Sequence, residues 1–105
     1  MLKINMEYRK GILFIRLKGE LTRFNYQSLN DYLLSLIDDQ GIRYIVLNLK
    51  YLNLIDNYGK ATLKTIISET TRNNGKGLIC HSKIRFDDTI RIIDNELSAL
   101  NIIKV

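Results

Sequence analysis

Apolar positions recur along this chain with two periods, and the switches between them mark out the elements. Lys3 to Tyr8 and Ile12 to Leu17 read as strands. In the second, Ile12, Phe14, Arg16 and Lys18 fall on one face and Leu13, Ile15 and Leu17 on the other, a period of two. Arg9-Lys10-Gly11 separates the two at a length suited to a hairpin turn. Tyr26, Leu29, Leu33, Leu36 and Ile37 follow at helical spacing, with Asn25 placed to cap the helix and Gly41 placed to end it. Tyr44 to Leu49 is nearly continuous apolar sequence, the pattern of a central strand covered on both faces. Leu63, Ile66 and Ile67 carry a second helix over about residues 59–72, with Gly75 and Gly77 beyond it. Leu78-Ile79-Cys80 reads as a short buried strand. Phe86, Ile90, Ile93 and Leu97, at i, i+4, i+7 and i+11, predict a third helix capped near Asp87 or Asp88, and Asn101 to Val105 a last strand.

The predicted order is β-β-α-β-α-β-α-β. Helices alternate with strands after an opening hairpin, so the class is α/β, with a mixed sheet packed against the helices in one pair of layers. The 105 residues suffice for one domain, spanning 1–105. A domain of this size buries roughly 65% of its unfolded surface and folds without staples.

Charge and cysteine content narrow the classes of function. The net charge of +5 raises nucleic-acid binding as an alternative. The basic residues, however, are scattered from Lys3 to Lys104, only Arg9-Lys10 are adjacent, and acids are interleaved. That is the distribution of a solvated surface rather than a phosphate track. Cys80 is the one cysteine, which precludes an intrachain disulfide and fits a reducing compartment. The first residues carry no signal-peptide pattern, and no apolar run approaches the ~20 residues of a membrane span. The expectation is a cytoplasmic, soluble protein.

The most informative segment is Leu52-Asn-Leu-Ile-Asp-Asn-Tyr-Gly-Lys-Ala-Thr-Leu63. An apolar strand runs into it and a helix leaves it. It is a strand-to-helix junction with Asp56 or Asn57 as N-cap and Gly59 in the first turn. A side chain at such a junction faces free N–H groups and the positive end of the helix dipole, where a phosphate is stabilised.

This junction resembles the phosphorylation-switch loop of the STAS family, the anti-sigma factor antagonists. That loop usually reads Asp-Ser-Ser-Gly; this chain reads Asp56-Asn57-Tyr58-Gly59. The element order is the STAS order, Gly19-Glu20-Leu21 resembles the family's Gly-Glu-Leu-Asp segment, and Ile45-Val-Leu-Asn-Leu49 resembles its central strand. Two positions depart. Thr22 stands where the family usually has Asp, and Tyr58 stands where it has the phosphorylated serine.

The resemblance implies a non-enzymatic bacterial regulator that works by partner switching, without a cofactor. Family members bind an anti-sigma factor that is also a serine kinase, which frees the sigma factor; phosphorylation of the antagonist ends the binding. The implied partner is such a kinase-like anti-sigma factor, or another STAS protein, with the chain itself a monomer or weak homodimer. The implied surface is Thr22, Phe24, Asp56, Asn57, Tyr58, Gly59, Lys60, Leu63 and Lys64. A tyrosine hydroxyl lies several ångströms beyond a serine oxygen, out of line for a kinase built around a short side chain, so serine-type phosphorylation at Tyr58 is not expected. Tyr58 has three readings: an aromatic anchor for the partner, a ring packed on its own domain, or a block that redirects the protein to another partner. Phe24 reads as an exposed contact or a core or staple residue. Lys60 and Lys64, at i and i+4, read as a basic surface for an acidic partner or as two solvated lysines. A scaffold or oligomerising STAS module, and a basic nucleic-acid-binding domain, are the alternative functions.

Other constellations carry little. Neighbours on a strand point to opposite faces, so Cys80-His81 does not form a nucleophilic pair, and one Cys with one His falls short of a zinc set. No Gly-rich phosphate cradle is present.

Overall fold

The computed structural model describes residues 1–103. Among them five strands form one sheet in the order β1-β2-β3-β4-β5: β1 (Leu2–Arg9), β2 (Ile12–Leu21), β3 (Tyr44–Ile55), β4 (Lys76–Cys80) and β5 (Ile92–Ile93). β1 runs antiparallel to β2, and every later pairing is parallel. The parallel strands are joined through α1 (Tyr26–Gln40) and α2 (Asn57–Arg72), and α3 (Glu96–Ile102) closes the described chain. The mixed α/β class and single sheet agree with the sequence pattern.

The β1–β2 hairpin closes through Lys10 and Gly11, with φ of 53° and 80°. Two successive residues at positive φ make a type I′ turn, whose twist matches the flanking strands, and glycine suits the second position. Gly41 likewise ends α1 at a φ of 68°, its N–H donating to the Leu36 carbonyl.

The alternation in β2 sorts its side chains into two separate cores. Leu13, Ile15, Leu17 and Leu21 join Leu29, Leu33 and Ile37 of α1 and Leu63, Ile66 and Ile67 of α2. Ile12 and Phe14 join Val46, Leu78, Cys80, Ile93, Ala99 and Ile103 on the opposite face. The sheet is therefore covered on both sides, by α1 and α2 on one and α3 on the other. This corrects the expected single pair of layers.

On the α3 side, Arg16 shares a face with apolar Ile12 and Phe14, and the fold supplies its partners. Its guanidinium donates twice to Glu96, with both distances 2.8 Å, once to Glu7 at 2.9 Å and once to Asn5 at 2.9 Å. Asn48 donates to the same Glu96 carboxylate at 2.8 Å. The hydrogen bonds and charge of Arg16 hold the Glu96 carboxyl below the usual range, and Glu96 in turn raises the Arg16 guanidinium pKa. This network fastens α3 to β1, β2 and β3.

Residues 86–97 correct a second expectation. They do not form a helix capped at Asp87 or Asp88; they form an irregular segment, the two-residue strand β5, and only then α3. Phe86 and Ile90 pack with the α1–α2 core, Ile93 packs with the α3 core, and Leu97 is exposed. One helical face cannot serve both sides of a sheet. The Asp87 carboxylate accepts from the Thr89 N–H at 3.0 Å, a local turn that competes with helix, while Asn95 caps α3 by accepting from the Ser98 N–H at 2.9 Å. The expected last strand is also corrected: Asn101 and Ile102 are helical, and 104–105 lie outside the described residues.

Candidate functional site

The site forms where β2 and β3 end side by side. β3 continues to Ile55, past the end expected at Leu49, and a single residue, Asp56, separates it from α2. Asp56 has extended backbone geometry and its Oδ1 accepts from the Gly59 N–H at 2.9 Å, so Asp56, not Asn57, is the N-cap. Asn57 is the first helical residue and is exposed. The second Asp56 oxygen, Oδ2, accepts from the Arg23 N–H at 2.8 Å. One carboxylate thus holds the start of α2 and the β2–α1 loop together. These N–H groups, Gly59 foremost, lower the Asp56 pKa and keep it charged.

The β2–α1 loop is tight. The Thr22 carbonyl accepts from the Asn25 and Tyr26 N–H groups at 3.1 and 2.9 Å, and the Thr22 hydroxyl accepts from the Phe24 N–H at 3.3 Å. Asn25 precedes α1 but does not cap it with its side chain. It reaches back instead, accepting from the Thr22 N–H and donating to the Glu20 carbonyl, both at 2.9 Å. This tight turn leaves Phe24 83% exposed at its apex, with the Arg23 guanidinium 4.8 Å from the ring centroid. Phe24 is therefore neither a core nor a staple residue.

Tyr58 occupies the second position of α2 and is 54% exposed. Its ring meets that of Tyr26, the first residue of α1, with centroids 5.3 Å apart and planes tilted by 38°. That contact orients the ring without burying it. Gly59 is buried under the site, where a Cβ would stand 2.4 Å from the Leu21 carbonyl oxygen. Thr22, Phe24, Asp56, Asn57 and Tyr58 therefore form one surface.

The remaining residues of the expected surface separate from it. Leu63 has no exposure and belongs to the main core, so it supports the surface from beneath and cannot touch a partner. Lys64 is not a free cation, since its Nζ lies 2.5 Å from the Asp87 carboxylate. This pairing pushes the Asp87 carboxyl down to about 2. Lys60 Nζ sits 5.5 Å from the Phe86 ring centroid. The segment after β4 therefore covers the lysine side of α2 and tempers its basic character. Sequence reasoning missed Tyr26, Arg23 and Phe86. A tyrosine at the start of an apolar helix reads as core, and the Arg23 contribution is a backbone group.

On the far face Cys80 is fully buried, and desolvation pushes its thiol up to about 12. Among the described residues, no cluster of three or more His, Cys, Asp or Glu could hold a metal, and no helix is long and apolar enough to cross a membrane.

The sheet thus has one antiparallel edge and two helices on one face, with an aspartate-capped junction beside a clamped loop. The STAS domain model matches residues 3–101, and the chain belongs to that family. It is 26% identical to the anti-sigma F factor antagonist of Paenibacillus polymyxa over 113 residues, spanning 99% of this chain and 97% of that protein. The fold is similar to that of the anti-sigma factor antagonist SpoIIAA in its unphosphorylated form, with a TM-score of 0.79 at 18% identity over 94% of this chain and 96% of that one. It is also similar to an anti-sigma factor antagonist from Mycobacterium paratuberculosis, with a TM-score of 0.80 at 14% identity over 97% and 93% of the two chains.

Proposed function

We propose that this protein is an anti-sigma factor antagonist that binds a kinase-like anti-sigma factor and is not switched by serine phosphorylation at the family's usual position. The observation that carries the reading is the Asp56 clamp. It holds Phe24 and Tyr58 exposed, at a junction that keeps Asp56 and Gly59 of the loop it resembles while the serine itself is replaced. Both aromatic rings present large, rigid area at small entropic cost, as binding hot spots do. Tyr58 acts as an anchor braced by Tyr26. With no short hydroxyl at the helix start, binding persists instead of ending on phosphoryl transfer. The protein acts from the cytoplasm, where sigma factors are.

The test pairs wild type with Tyr58→Ala against the anti-sigma factor of the source cell, recovered from lysate and identified by mass spectrometry. Recovery by wild type and loss with the variant supports the reading. If neither form recovers an anti-sigma factor, it fails. Incubation of wild type with that partner and ATP leaves the intact mass unchanged; a phosphate mapped to residues 56–60 refutes the unswitched state.

A further inference from the structure

β1 is an open edge, and its sequence is complementary to itself. The two-residue turn makes Arg9 and Ile12 a doubly hydrogen-bonded pair, and the alternation of an antiparallel ladder then turns the main-chain groups of Arg9, Glu7, Asn5 and Lys3 toward β2. Those of Leu2, Ile4, Met6 and Tyr8 face outward. Edges of this kind are usually blunted by proline, a bulge or inward charge. The sequence contains no proline, and the β1–β2 register runs without a break from Leu2↔Gly19 to Arg9↔Ile12. Tyr8 is 63% exposed and Ile4 38%.

We propose that β1 pairs antiparallel with β1 of a second copy of this chain about a twofold axis through Asn5, joining the two sheets edge to edge. This register sets Lys3 opposite Glu7 of the partner subunit and Glu7 opposite the partner's Lys3. On the other face it sets Leu2 opposite the partner's Tyr8 and Ile4 opposite the partner's Met6. Opposite charges meet, apolar side chains meet, and every outward main-chain group from Leu2 to Tyr8 gains a partner. Sliding the strands by two residues in either direction breaks the charge match. Beside Leu2, between β1 and α1, lies an apolar groove of about 430 Å³ lined by Met1, Leu2, Ile4, Asn25, Leu29 and Tyr32, among others. The partner's Tyr8 lands at its mouth. The inference does not depend on the proposed function.

The test is sedimentation of the full chain from roughly 10 μM to about 1 mM, with cysteine cross-linking to read the register. Since Asn5 is hydrogen-bonded inward to β2, the pair across the axis is of the non-hydrogen-bonded kind, with Cα atoms about 4.5 Å apart, within disulfide range. Asn5→Cys therefore links into a covalent dimer on mild oxidation, while Ile4→Cys, two residues out of register with itself, does not. Cys80, fully buried, stays silent. Ile4→Pro removes an outward N–H without touching the β2 ladder and weakens dimerisation at least about tenfold. Lys3→Glu, a change at a solvent-exposed side chain, places like charges opposite each other and weakens it too, whether or not the proline variant folds. A wild type that stays at the 12.3 kDa monomer mass throughout overturns the proposal, whether the edge is then bare or taken by a strand of another protein. A dimer that ignores Lys3→Glu, or in which Asn5→Cys does not cross-link, overturns it as well, since the interface then lies elsewhere.

Discussion

Gly59 is the sharpest test of how the site is built. A Cβ there would stand 2.4 Å from the Leu21 carbonyl oxygen and 2.9 Å from both Ile55 Cγ1 and Leu21 Cγ. The nearest of these is backbone at the end of a central strand, which cannot rotate aside. Gly59→Ala therefore forces the first turn of α2 away from β2 by up to about 1 Å to reach ordinary contact distance. The same carbonyl accepts the Asp56 N–H at 3.3 Å, so the shift also loosens the clamp. Overpacking of this kind costs about 1–3 kcal/mol, and the higher helix propensity of alanine returns up to about 1 kcal/mol. With the cost taken at the middle of its range, about 2 kcal/mol, the net loss is about 1–2 kcal/mol. For a urea m-value of about 1–2 kcal/mol/M, the midpoint falls by on the order of 1 M. Urea titration followed by circular dichroism measures it directly. A midpoint equal to or above that of wild type would falsify the packing argument, because helix propensity alone predicts that direction.

Three further outcomes follow from other parts of the structure. Tyr58→Ser places a short hydroxyl at the second position of α2, so incubation with the kinase-like partner proposed above and ATP adds one phosphate to the intact mass of the variant and none to wild type; equal labelling of both contradicts the reach argument. Asp56, Asp87 and Glu96 all have lowered folded pKa values, so their contribution is fully present above the ordinary carboxylate values of 3.8–4.5 and is lost as pH falls through their folded values, about 2 for Asp87. Urea midpoints hold level near neutrality and drop below pH 4.5, less steeply in Glu96→Gln, and an identical slope in that variant contradicts the role given to the Arg16 pair. Cys80, fully buried with its thiol pushed up to about 12, reacts with a disulfide reagent at pH 8 only after denaturant is added; rapid stoichiometric labelling of the native protein shows that the α3 face opens.

How much of this was legible depended on whether a segment stayed one regular element along its length. From Lys3 to Arg72 each element has a single period, and strand alternation or helical stripe identifies it. β3 was read short because Lys50, Tyr51 and Asn53 break its apolar run, yet parallel pairing with β2 continues to Ile55. After Cys80 the chain sends Phe86 and Ile90 to one core, Ile93 to the other and Leu97 to the surface, and a spacing that looks helical is a coincidence of three separate destinations. At the site, Asp56 was readable because capping is local chemistry. The contact of Tyr58 with Tyr26 and the donation from Arg23 join residues more than thirty positions apart, and only the fold brings them together. Leu63 reads as surface from sequence because helical spacing locates the inner stripe but not how far around the helix it extends, and the fold buries it.

The Asp56 carboxylate also limits how the chain can change in length. Both of its oxygens are in use, one by the loop that begins α1 and one by the turn that begins α2. A residue inserted or deleted between Thr22 and Asn25 is therefore not absorbed at the surface, as it would be in an ordinary loop. It moves the Arg23 N–H out of reach and frees the junction 33 positions further on. The other end of α1 closes on its own last turn, where Gly41 donates its N–H to the Leu36 carbonyl. The N-terminal end of α1 is thus tied to a junction far along the chain, and that tie fixes the length of the loop before it.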